Sequence, residues 1–165
     1  MRLSGEEVHL LEGLIGRKAE KVIVPLPRGS VSKPVETVLV LSKNKGVLID
    51  SCYRAQKAVE TPDGYPQMRV RLIDEIPHYA NGEAIELSDT GEIVRSVEIT
   101  NEQVSTRQDT AYYTKSVRIE FTGQREITIT RENFRSPSLH IYDENDPVSE
   151  TTELSEHVVQ SVYSI

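Results

Sequence analysis

The chain contains no tryptophan and one cysteine, Cys52, so no intrachain disulfide can form. A lone thiol fits a reducing compartment, and on a strand it reads as a small buried apolar residue. No apolar run approaches the roughly 20 residues that a membrane-spanning helix requires. The opening Met1-Arg2-Leu3-Ser4-Gly5-Glu6-Glu7 carries carboxylates where a secretory signal would be basic and then apolar. The expectation is a cytoplasmic protein without membrane contact. Lysine and arginine are also missing after Arg135, whereas Asp143, Glu144, Asp146, Glu150, Glu153 and Glu156 all follow it.

Motifs that carry chemistry are similarly scarce. His9, His78, His140 and His157 lack the spacing of a metal pair, and Cys52 has no cysteine partner for a zinc site. Gly13-Leu14-Ile15-Gly16-Arg17-Lys18 has the wrong spacing for a phosphate loop and follows a helical pattern rather than a strand. No nucleophile elbow and no dinucleotide fingerprint occur. Asp143-Glu144-Asn145-Asp146-Pro147 offers oxygen ligands but lacks the glycine turn and distal glutamate of a calcium loop. With 26 acidic residues, carboxylate pairs are too numerous to mark a glycosidase. These readings leave no catalytic residue, no cofactor and no metal, and the chain is not expected to be an enzyme.

What is present is the material of one globular domain. The 165 residues suffice for a core without metals or disulfides. The net charge of −7 is unevenly spread. Residues 1–73 hold twelve Lys/Arg against eight Asp/Glu, and residues 74–165 hold seven against eighteen. Such a field steers a cationic partner inward and repels a phosphate backbone, so nucleic acid is not expected as a partner. The bland reading of each acidic cluster is a solvated loop that keeps the chain soluble.

Ser4 and Glu7 have capping-box spacing, Leu3 and Val8 that of a hydrophobic staple, and Val8, Leu11, Leu14 and Ile15 share a helical face. The pattern predicts a helix over residues 5–15, stopped by Gly16. Beyond it the period falls to two. Strands are expected at Lys21–Val24, Thr37–Leu41, Gly46–Ile49, Met68–Ile73, Ala84–Leu87, Ile93–Ile99, Ser116–Phe121, Glu126–Thr130 and Leu139–Tyr142. Pro62-Asp63-Gly64, Asn81-Gly82 and Gly123-Gln124 supply turns. His157–Tyr163 fits a helical face but carries strand formers, and strand is favoured.

The strands of 17–76 echo those of 92–147. Glu20–Val24 resembles Arg95–Ile99, Thr37–Val40 resembles Ser116–Ile119, Leu48–Asp50 resembles Ile127–Ile129, and Val70–Glu75 resembles Leu139–Glu144. Two explanations fit: an internal duplication, or the general likeness of amphipathic strands. The fold class expected is mainly β (α+β), an antiparallel sandwich or half-barrel of two similar β-units with a short N-terminal helix.

In size, acidity and β content the chain resembles the small acidic bacterial immunity proteins that neutralise toxins. That resemblance implies a protein that docks an acidic face on a basic partner, such as a nuclease toxin, with carboxylates standing in for substrate phosphates. The residues expected to carry it are Asp143, Glu144 and Asp146, with Tyr142 as aromatic anchor. Asp74 and Glu75 are the equivalent positions in the echo. Two other readings stand beside it. One is a small-molecule binder or small enzyme with a pocket between the two β-units, using His78, Tyr79 and His140. The other is a structural homo-oligomer built on an exposed strand edge.

Overall fold

The expected helix opens on its local signals. A computed structural model of the chain describes residues 2–25, 36–42, 44–53, 66–78, 82–105, 110–131, 135, 139–143 and 158–164. Helix α1 spans Gly5–Glu12, with Ser4 as N-cap and the capping box closed in both directions. Glu7 Oε2 accepts from the Ser4 N–H at 2.8 Å, and the Glu7 N–H donates to Ser4 Oγ at 3.3 Å. Regular helix stops three residues short of the expected Ile15. From Gly13 to Gly16 the chain continues in tighter turns, with the Leu14 N–H donating to Leu11 O and the Ile15 N–H to Glu12 O. Gly16 then adopts φ +79° and hands its N–H to Val94 O.

Two antiparallel sheets follow, and among the described residues neither closes into a barrel. In one, β2 (Lys21–Pro25), β3 (Thr37–Ser42), β4 (Lys45–Tyr53) and β5 (Pro66–Ile73) run as a meander, and β6 (Gly82–Glu86) returns to pair with β2. In the other, β7 (Glu92–Ser105), β8 (Thr110–Phe121), β9 (Glu126–Arg131) and β10 (Leu139–Asp143) form a meander, and β11 (Val158–Ser164) returns to pair with β7. The two sheets therefore share one connectivity, and the echoed segments occupy corresponding strands in each. A two-residue strand, β1 (Lys18–Ala19), also pairs with β7.

The chain changes sheets at Glu20. Lys18 and Ala19 pair with Ile93 and Glu92, whereas Lys21 pairs with Val40 of the opposite sheet. At this crossing Gly91 has φ +77°, and a Cβ there would stand 2.6 Å from Ala19 O. Both the backbone angle and the close approach therefore require glycine.

Alternation sends one set of side chains from each sheet into a common core. Val22, Leu39, Val47, Ile49, Met68 and Val70 meet Val97, Ile99, Val117, Ile119, Ile127, Ile129 and Leu139, and Leu11 and Leu14 join from the helical end. The other face of the β2–β5 sheet holds a smaller buried cluster of Val38, Val40 and Leu48, with Ile23, Ile73 and Ile76 packed against it.

Several expectations need adjustment. β7 runs on to Ser105 and β8 begins at Thr110, six residues before the expected Ser116. The register shifts between Thr100 and Asn101, which breaks the alternation that a strand reading depends on. Leu72, expected on the apolar face with Met68 and Val70, is 55% exposed near the end of its strand. Cys52 is half-buried rather than buried. The favoured C-terminal strand agrees with β11. Pro62-Asp63-Gly64 and Asn81 lie outside the described residues.

Candidate functional site

Those of the expected acidic residues that are described fall at strand ends of two different sheets. Asp74 and Glu75 follow β5 and are exposed, and neither makes an ion pair among the described residues. Asp143 closes β10 opposite Ile127, and Tyr142 stands opposite Thr128. Glu144 and Asp146 lie outside the described residues, as do Glu150, Glu153, Glu156 and Tyr79. His140 stands opposite Thr130 on β10, and His78 is exposed beyond β5. One histidine thus lies in β10 and the other in the segment after β5, in the opposite sheet's half of the chain. Among the described residues no group of three or more His, Cys, Asp or Glu is placed to hold a metal ion, and no helix is long and apolar enough to cross a membrane.

Several carboxylates elsewhere, buried and exposed, are already matched by cations. Asp50, almost fully buried, receives Arg69 through two hydrogen bonds, at 2.8 and 2.6 Å, and Arg71 at 3.2 Å. The bond to Asp50 raises the Arg69 guanidinium above its ordinary value. Arg118 bridges Glu126 and Glu120, and the bond to Glu126 likewise raises its pKa. Lys21 faces Glu86 at 3.8 Å. Asp74 and Glu75 have no such cation among the described residues.

A groove of about 770 Å³ opens between α1 and the β7–β11 pair. Leu3, Val8, Ile99, Val162 and Tyr163 supply its apolar lining, and Arg2, His9, Glu12 and Asn101 its polar positions. Its volume is within the range of small-molecule sites. It lies at the helix, beside the core that the two sheets share. His9 Nδ1 sits 3.1 Å from Glu12 Oε2 on the exposed side of the helix.

One wall of the groove is tied down by a buried polar relay. The bulge beside Asn101 turns Thr114 inward, where its hydroxyl donates to Asn101 Oδ1 at 2.8 Å and accepts the Leu3 N–H at 3.0 Å. One step further along the same strand pair, the Tyr113 hydroxyl donates to a Glu102 carboxylate oxygen. The fully buried Arg131 lies over the Tyr113 ring, 5.6 Å from its centroid. Burial, and then the bond to Glu102, push the Tyr113 phenol well above its ordinary pKa. The phenol therefore remains a neutral donor across the physiological range.

The relay and the groove escaped the sequence reading. Their residues come from α1, β7, β8, β9 and β11, and none is a local motif. One signal was present: Val162-Tyr163, read as strand, places two large side chains on consecutive positions, so one of them faces away from any single core. No protein-family model, no curated protein and no solved structure matches this chain.

Proposed function

We propose that this chain is a binding protein that docks an acidic surface on a basic partner protein, and that it acts as an inhibitor in the manner of an immunity protein. The observation that carries this reading is the exposed Asp74-Glu75 pair, without an ion-pair partner among the described residues, in a molecule whose Asp50, Glu86, Glu120 and Glu126 each have one. The sequence adds an acidic excess over residues 74–165 and a run of acids from Asp143 to Glu156. The proposed contact set is Asp143, Glu144, Asp146 and Tyr142, with Asp74 and Glu75. Carboxylates on such a surface raise the association rate with a cationic partner and choose against anionic ones.

The test is co-purification from the native cell over a salt series, with the wild type, Asp74→Lys/Glu75→Lys, and Asp143→Lys/Glu144→Lys/Asp146→Lys. A basic protein is expected on the wild type, weakening as salt rises, and lost from at least one variant whose melting temperature is unchanged. Equal capture by all three proteins removes these carboxylates from the interface.

A further inference from the structure

Among the described residues no strand pairs with the outer edge of β11, and we propose that two copies of this chain join there, β11 against β11, about a twofold axis through Ser161. Sheet edges in soluble proteins are protected by charge, proline, brevity or a covering element. The other edges here follow that rule. Along β5, Glu7 Oε1 accepts the Val70 N–H at 3.2 Å, so the helix covers that edge. β6 has the exposed Glu86, the sequence of β10 contains an aspartate, and β1 has only two residues.

β11, of sequence Val-Val-Gln-Ser-Val-Tyr-Ser, has no residue charged at neutral pH and no proline. One side pairs with β7 over all seven residues, and no described strand pairs with the other. Val162 is 59% exposed and Tyr163 49%, on opposite faces of the strand.

The charge pattern selects a second copy as the occupant. When identical strands pair antiparallel about a twofold, residues near the axis face themselves or close neighbours, so any charge there meets its like. With Ser161 on the axis, Val159 stands opposite Tyr163, Gln160 opposite Val162, and all seven residues are paired without a charge. A foreign cationic strand would impose no such neutrality, and would be served better by carboxylates. The face that carries Tyr163 also borders the groove beside Leu3 and Val8, which gives the mate an apolar surface next to the new strand pair. Each chain brings a charge of −7, so pairing is opposed at long range and eased by screening.

The test uses the full chain with Cys52→Ala, to which Ser161→Cys or, as control, Glu86→Cys is added. Opposed residues in an antiparallel pair have Cα atoms about 4.5–5.5 Å apart, within the span a disulfide bridges. The S161C chain is expected to become a covalent dimer under mild oxidation, well ahead of E86C. Wild-type sedimentation should show a dimer that tightens as salt rises from about 20 to 300 mM, opposite to docking on a basic partner. Val162→Lys/Tyr163→Lys should weaken self-association about tenfold or more with unchanged far-UV circular dichroism. Charge reversal at Asp74 and Glu75 should leave the dimer intact, which separates this proposal from the docking surface above. A wild type that stays monomeric at every salt concentration overturns the proposal, as does S161C cross-linking no faster than E86C. A monomer whose lysine variant loses a captured basic protein would assign the edge to that protein's own strand instead.

Discussion

Tyr113 and Glu102 face each other across β7 and β8 in a part of the sheet that few side chains of their type could enter alone. The carboxylate gains a donor, the phenol gains an acceptor, and Arg131 lies over the ring. The neutral phenol is the form the fold favours, so the folded chain keeps this proton where an unfolded chain releases it, near pH 10. Stability is therefore fully present below about pH 10 and is lost as the pH climbs above it. Tyr113→Phe should remove that alkaline loss. At neutral pH it should lower stability by about 1.5–3 kcal/mol, the usual worth of a hydrogen bond to a charged group. Urea unfolding of the two proteins at neutral and alkaline pH reads both effects, and parallel pH profiles would rule out Tyr113 as the source of the alkaline loss. Nothing in the sequence marked this cluster. Glu102, Tyr113 and Arg131 come from three strands, and the register shift at Asn101 hides their common direction. Ser4 and Glu7, in contrast, were legible because a capping box is a spacing of three along one chain.

At the scale of the element, α1 links the two sheets. The Leu3 N–H bonds to Thr114 of β8, and Glu7 both closes the capping box and satisfies the Val70 N–H of β5. The sequence predicted the capping role of Glu7 and not the second one, which depends on where β5 lies. The two roles separate by mutation. Ser4→Ala should lower stability by about 0.5–2 kcal/mol, the ordinary worth of a cap. Glu7→Ala should exceed it, because a nearly buried edge N–H also loses its acceptor, at about 1–3 kcal/mol more. Equal destabilisation in chemical denaturation would mean that water replaces the carboxylate at Val70. Strands were legible where apolar alternation was strict, as in β5 and β9. They were not legible at 100–105 and 110–115, where polar residues hold the pair and a bulge interrupts the period. Among the acidic positions, only Asp74 and Glu75 have described side chains, and exposure there follows from their place beyond the end of β5.

At the scale of the whole molecule, the matching connectivity of the two sheets raises the question of whether each is a unit that stands alone. The packing argues that it is not. Val22, Leu39, Ile49, Met68 and Val70 are shielded by the facing sheet, and one core cluster includes both. The first half also lends β1 to the sheet of the second, and its segment before α1 is bonded to Thr114. A chain divided between Asp89 and Thr90, in the exposed turn before β7, should therefore give two fragments that fail separately and recover together. Residues 1–89 alone would expose the apolar sheet face that the second sheet covers, and a contiguous apolar patch of that kind drives aggregation. Co-expression of 1–89 with 90–165 should restore a β-rich circular dichroism spectrum and a cooperative melt, while either fragment alone should aggregate or show neither. A fragment 1–89 that melts cooperatively as a monomer would mean that each sheet holds its own core, and that the shared cluster joins two finished units rather than completing one.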